Sequence, residues 1–444
     1  MSGSKSSTAM IVRLAIMMFL QFFIWGAWYV SMDGFLSEAG MKASSESGFS
    51  FHAAAYTVAP LAAILAPLTL GLIVDRLMNT EIVLGILNLI GAALLWFAPT
   101  LASAGVPESW VAQFGHPMIL VLLLYMICFM PTLGLTASLS FKHLANGEKE
   151  FPVVRVLGTI GWIVGNWAML GGRMITGDDV GFADNSGNIF RVAAGASALL
   201  GLYCFSLPKT QPPAKGEPIS IGKVFGVDAW KLLADKAFFV FAVASFLICI
   251  PLAGYYAQGY GYVASQEITL FGSTTGAMST GQMSEIFFMI VMPLCFARLG
   301  VKWMLAIGML AWVVRYGLWG FAFGQEGPLM TGPIFLGILL HGICYDFFFV
   351  TGMIYTDKKA PKEVRGQAQS LIVLLTQGLG LGIGAQFFGW WSAQCTPEGG
   401  TLDFAKFWYI PALFALAVMV VFIILFRDRS TDVDFEATAN EAVA

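Results

Sequence analysis

Charge is scarce in this chain. Of its 444 residues 11% are Asp, Glu, Lys or Arg, against 57% hydrophobic, whereas a soluble domain carries about 25% charged residues. That excludes a soluble globular protein and leaves a polytopic membrane protein. Basic runs are absent and the net charge is −3, so nothing points to nucleic acid as a partner. Cysteine is sparse as well. Cys128, Cys204, Cys249, Cys295 and Cys344 fall in apolar runs and Cys395 in an expected loop, with no disulfide or zinc spacing. They read as small core residues, and no metal is expected. No HExxH or GxSxG constellation occurs, which argues against an intramembrane enzyme. The first apolar run lacks a small-residue cleavage pattern and is too long and aromatic for a secretory signal, so it counts as a span.

Long apolar runs are what the chain has in quantity. A helix needs about 20 such residues to cross the hydrocarbon core. Runs of that kind fall at 11–32, 52–74, 81–102, 117–141, 152–171 and 190–207, and again at 237–260, 277–297, 302–323, 331–355, 366–391 and 405–426. Between the two sixes lies a polar, proline-bearing segment that begins at Pro208. The expected architecture is all-α: twelve transmembrane helices in two six-helix bundles, 1–207 and 237–430, with a linker at 208–236 and a tail at 431–444. Lys5, Arg13, Arg76, Lys142, Lys149, the linker lysines, Arg298, Lys302, Lys358, Lys359, Lys362, Arg365, Arg427 and Arg429 fall on one side of this plan. Lys42, Arg173, Arg191 and Lys406 fall on the other. The basic bias places both termini and the linker in the cytoplasm.

Against that apolar background the polar residues inside spans carry the information. Ile338–Tyr355 reads ILLHGICYDFFFVTGMIY and holds His341 and Asp346 near its middle. An ionisable group at that depth costs at least ~2.5–3.5 kcal/mol and usually faces a cavity or a partner. Asp346 is therefore a candidate proton carrier, with a structural contact between helices as the plainer reading. By α-helical period His341 and Tyr345 share a face and Asp346 points about 100° away from Tyr345. In the first span Gln21, Trp25 and Trp28 share a face, either as a packing seam or as a cavity wall, and Asp33 at its outer end is expected in solvent. In the fifth span Arg155, Thr159 and Trp162 share a face. Arg155 needs a carboxylate, a carbonyl or a substrate oxygen, unless it snorkels to the surface from the first helical turn. Gln282 and Glu285 are neighbours on the eighth span, suited to a polar substrate or to pairing with Arg155. Arg315 in the ninth span reads as structural. The eleventh span, TQGLGLGIGAQ from Thr376 to Gln386, suits close helix packing.

Gly71, Asp75 and Arg76 form GxxxDR after the second span, which resembles the short loop motif of the major facilitator superfamily. Leu20–Trp28 (LQFFIWGAW), MPTLGL from Met130, F-P-x-x-R-x-x-G-T-I-G from Phe151, Q-x-S-E at Gln282–Glu285, W-x-x-R at Trp312–Arg315 and Y-D-F-F at Tyr345–Phe348 together resemble the nucleoside:proton symporter family of that superfamily. The resemblance runs from the first span to the eleventh. It implies proton-driven nucleoside uptake by alternating access through a cavity between two halves. It also implies substrate contacts at Arg155, Thr159, Gln282 and Glu285, a base-stacking aromatic at Trp162, a further aromatic at Tyr345, and proton coupling at Asp346. Three positions depart from the family pattern: His341 replaces a tyrosine, and Ala253 and Tyr256 stand where two polar residues are usual. His341 thereby becomes a second candidate proton carrier, as is Glu285.

The expected protein is a monomeric transporter of the bacterial inner membrane. It uses the proton gradient and no cofactor, and its partners are a nucleoside or related small polar substrate, protons and the lipid bilayer. Gln21, Trp25, Tyr256, His341 and Tyr345 complete the candidate substrate residues. A proton-coupled sugar or glycoside permease would use the same aromatics. A non-transporting receptor or sensor is the alternative of another class, against which stand a short tail and the lack of a soluble signalling domain.

Overall fold

A computed structural model describes residues 6–41, 48–69, 78–145, 147–211, 227–361, 364–398 and 400–428. The GxxxDR residues Gly71, Asp75 and Arg76 lie outside them, as do most of the linker and the tail beyond 428. The described residues are helical apart from turns and an isolated bridge between Leu270 and Ser273. Among them eight helices are long and apolar enough to cross a membrane, or nine if one bent pair is a single span. Two shorter apolar helices accompany them, Phe51–Leu65 and Asn188–Cys204. The chain forms two compact units, Met1–Ser220 with Thr269–Ala277, and Ile221–Ile268 with Met278–Ala444.

In the first unit the elements are α1 (Thr8–Gly26), α2 (Met32–Glu38), α3 (Phe51–Thr69), α4 (Thr80–Phe97), α5 (Trp110–Phe114), α6 (Pro117–His143), α7 (Gly147–Asn166), α8 (Ala168–Thr176) and α9 (Asn188–Cys204). The expected first span thus stops early, at Gly26; residues 27–31 form turns, and the separate short helix α2 follows. The expected fifth span is a pair, α7 and α8, meeting at a 51° bend. Pro117 at the start of α6 needs no hydrogen-bond donor there, and the ring Nδ1 of His116 caps the helix by accepting from the Met118 N–H at 3.2 Å. Helix α1 lies along α7, and α4 packs against α6 and α9.

The seam between α1 and α7 is made of glycine. A methyl group built on Gly161 would run into the Phe19 carbonyl oxygen, one on Gly165 would sit 2.5 Å from that of Phe23, and one on Gly26 would sit 2.5 Å from that of Trp162. Gly161 and Gly165 are one helical turn apart, the small-residue spacing that lets two backbones touch where no water drives them together. The segment Thr269–Ala277 is tied to this unit by Asp184. Its Oδ2 accepts from Ser273 Oγ at 2.8 Å, from Thr275 Oγ1 at 3.0 Å and from the Thr275 N–H at 3.2 Å.

The second unit comprises α10 (Val227–Trp230), α11 (Lys236–Ser265), α12 (Thr274–Ala322, whose first residues belong to the first unit), α13 (Pro328–Leu339), α14 (His341–Cys344), α15 (Thr351–Lys359), α16 (Arg365–Val373), α17 (Leu381–Gln394) and α18 (Phe404–Leu425). The expected eighth and ninth spans are the two arms of α12, broken at Gly300, whose φ of 64° suits glycine and few other residues. The tenth and eleventh spans each contain a π-helical stretch, Tyr345–Val350 and Leu374–Gly380. Such stretches widen one turn and occur often at functional sites. The glycines of the eleventh span do pack closely: methyl groups on Gly380 and Gly384 would lie 2.7 and 2.5 Å from the carbonyl oxygens of Phe246 and Ile250 on α11.

The glycine seam gives a stability test. Gly161→Leu must push α1 and α7 apart and should destabilise by about 1–3 kcal/mol, the usual cost of overpacking. Gly134→Ala on α6, where an added methyl meets nothing within 4 Å, should leave stability unchanged or slightly raised. Thermal unfolding of the detergent-solubilised variants reads both.

Candidate substrate and proton sites

In the first unit Gln21 is fully buried, and its amide donates to Thr132 Oγ1 at 2.7 Å, which in turn donates to the Phe129 carbonyl at 2.6 Å. The Gln21 side-chain oxygen is buried and takes no hydrogen bond. One turn on, the Trp25 ring meets Trp162 edge to face at 5.4 Å and Phe129 at 5.6 Å. The indole N–H groups of Trp25 and Trp162 are both buried without an acceptor. Arg155 is half-buried, with its guanidinium 4.2 Å above the Phe22 ring and Nη1 buried without an acceptor. Because α7 begins at Gly147, Arg155 stands two turns inside the helix rather than one. Thr159 lies half-buried on the same helix.

Leaving a buried polar atom unpaired costs ~1–3 kcal/mol. Four such atoms, three donors and one acceptor, occur here among aromatic rings on α1 and α7. Trp28 belongs elsewhere. It is fully buried against Tyr125 and Phe190, whereas Trp25 on the same expected face is half-buried.

Asp33 corrects the expectation of a solvated carboxylate. It is fully buried, and its Oδ1 lies 2.7 Å from Nε2 of His52, itself 2% exposed. The cause is the early end of α1: the short helix α2 folds Asp33 inward against the first turn of α3.

In the second unit Glu285 is buried on the first arm of α12, and its Oε1 lies 3.0 Å from Nε2 of His341. Glu285 thus has an imidazole for its neighbour, where the sequence had offered Arg155. The other ring nitrogen, Nδ1, lies 3.2 Å from Nη1 of Arg315. Arg315, expected to be structural, is fully buried, with its guanidinium 3.7 Å over the Tyr255 ring and 5.1 Å from that of Trp319. The Trp319 indole is fixed by donating to the Ile334 carbonyl at 3.1 Å.

Asp346 sits on the π-helical stretch, fully buried, with neither carboxyl oxygen hydrogen-bonded. Glu285 is close enough for its charge to act on Asp346. Facing computed from a regular α period does not hold through this stretch. Tyr345 and Gln282 are half-buried; the Tyr345 ring is 5.4 Å from Phe349 and 6.3 Å from His341. Tyr256 is half-buried beside Tyr255, ring centres 5.6 Å apart. No cluster of His, Cys, Asp and Glu among the described residues has the arrangement of a metal site.

Helices long and apolar enough to cross a membrane, with unpaired polar groups and a buried carboxylate among them, are the parts a membrane transporter needs. A family model described as nucleoside H+ symporter matches residues 8–431. YegT of Escherichia coli (strain K12) is 38% identical over 429 residues, 95% of each chain. The xanthosine permease of the same organism is 27% identical over 431 residues, 94% of this chain and 96% of that one. A crystal structure of the nucleoside transporter NupG aligns with a TM-score of 0.78 at 26% identity, covering 95% of this chain and all of that one. The chain belongs to the nucleoside H+ symporter family: it is a multi-pass membrane protein that couples nucleoside transport to protons, and it is not an enzyme.

The buried Asp33–His52 pair reaches Trp25 through the rings of Tyr56 and Tyr29, and a substitution tests whether it serves stability alone. His52→Phe takes the imidazole away from the buried Asp33 carboxylate and should cost about 3–5 kcal/mol of stability. Uptake per folded molecule should stay unchanged. Thermal unfolding and uptake normalised to folded protein separate the two effects.

Proposed function

We propose that this protein takes up nucleosides by alternating access in the bacterial inner membrane, as a monomer of twelve spans in two six-helix bundles with both termini cytoplasmic. The observation that carries the coupling is Asp346, fully buried on a π turn with neither oxygen paired. A buried carboxylate without a counter-ion is costly when charged. Proton uptake at Asp346 removes that charge and lowers the barrier to closing the site around substrate; release on the cytoplasmic side restores it. Glu285, whose charge acts on Asp346, ties proton occupancy to substrate occupancy. The proton gradient drives the cycle without a cofactor.

Substrate recognition follows from what each group offers. Trp25 and Trp162 present ring faces to a base and N–H donors to its acceptors. Arg155 and Thr159 meet its polar edge, and Gln21 supplies an acceptor. Gln282, Glu285, His341 and Tyr345 suit the ribose hydroxyls, with Tyr256 at their margin. Loss of the stacking surface in Trp162→Ala should cost about 0.5–1.5 kcal/mol, read as a two- to twelvefold rise in the KM for uridine.

The same rings would stack on a sugar, so a competition panel of nucleosides against glycosides in labelled uptake decides the substrate class. Displacement by glycosides and not by nucleosides would refute the reading. Asp346→Asn should bind uridine yet never accumulate it above the external concentration. Full concentrative uptake by that variant would remove Asp346 from the coupling role.

A further inference from the structure

Arg315 has no assigned part in the site, yet its surroundings are unlike those of a structural ion pair. A fully buried guanidinium ordinarily faces a carboxylate. Among the described residues no carboxylate pairs with Arg315. Its charge rests instead on the faces of Tyr255 and Trp319, and its Nη1 lies 3.2 Å from Nδ1 of His341. An arginine can only donate hydrogen bonds. Nδ1 of His341 must therefore be the acceptor and bear no proton, since an N–H there would point at another N–H. The ring proton then sits on Nε2, directed at Glu285 Oε1 at 3.0 Å.

We propose that Arg315 is a positioning residue for Glu285, acting through His341: it fixes the Nε2–H tautomer, and that N–H holds one oxygen of the carboxylate while the other is left for substrate. This rests on the placement of Glu285 in the substrate site. The parts come from three elements. The two arms of α12 supply Glu285 and Arg315, and α14 supplies His341. The join is close: a methyl group on Gly281 would lie 3.0 Å from Cβ of His341, and the Gly342 N–H donates to Ser284 Oγ at 3.0 Å. Two roles considered for His341 are thereby separated. With Nδ1 held as acceptor it orients the carboxylate, and the travelling proton falls to Asp346.

The tautomer can be read directly. The chain has 4 histidines, so a spectrum of 15N-histidine-labelled protein is sparse, and His341→Gln identifies the His341 signal. In the wild type at neutral pH His341 should carry one proton, on Nε2. Arg315→Lys, which still donates, should keep that pattern, and Arg315→Met should lose it. A proton on Nδ1 in the wild type overturns the proposal without any variant, as does an unchanged His341 signal in Arg315→Met.

Uridine binding supplies the functional arm. Arg315→Met should raise the Kd about tenfold, the scale of one charge-assisted hydrogen bond, with much smaller loss in Arg315→Lys. In a Glu285→Gln background the same change should add little, because the two act as a unit; full additivity overturns the proposal. The expected spectrum together with no uridine binding by wild-type protein would refute the nucleoside reading and leave the relay standing.

Discussion

Ionisable groups inside an apolar helix bundle have few ways to be tolerated, and this chain uses two of them: an imidazole beside a carboxylate and an aromatic ring beneath a guanidinium. Asp33 takes His52 as its counter-group. Arg155 lays its charge on Phe22. Arg315 rests between Tyr255 and Trp319 and reaches His341, which in turn meets Glu285. Asp346 has none of these arrangements. The cost of a bare carboxylate at depth is therefore concentrated at one residue, and that residue stands where a turn of helix is widened. A proton is the cheapest partner such a group can acquire, and the proposed coupling role of Asp346 draws on that.

Much of this was legible in the sequence, and the reason differs from residue to residue. Asp346, Glu285 and Arg155 announced themselves because charge is rare in apolar runs, and rarity at membrane depth carries information. Trp25 and Gln21 were readable as one face from their spacing. What stayed hidden depends on local departures from a regular helix. Asp33 looked solvated because the first apolar run seemed continuous, and the early end of α1 turns that residue inward. His52 is its partner across one loop, a pairing that the nearness of both to span ends could have suggested. The facing of Asp346 was computed for an α period that the π stretch does not keep. Arg315 was read as structural; Trp319, one turn on, was within reach of a helical reading, whereas Tyr255 and His341 come from other parts of the chain.

The polar groups of the first unit share a further property. Three donors and one acceptor lie buried and unpaired around two tryptophans. A stable bundle would ordinarily satisfy them internally. The indole N–H of Trp28 nearby is likewise buried without an acceptor, although its ring is packed on both Tyr125 and Phe190.

The glycine seam bears on how such a surface can move. Where α1 and α7 touch backbone to backbone, no layer of side chains separates them to slide or re-pack, so the two helices behave as a single slab. Gln21 and Trp25 ride on one half of that slab, Arg155 and Trp162 on the other. Their mutual distances are then set by backbone contact rather than by side chains. On the proposed reading, the template against which a base is measured keeps its shape, and selectivity is set by a part of the molecule that access does not alter.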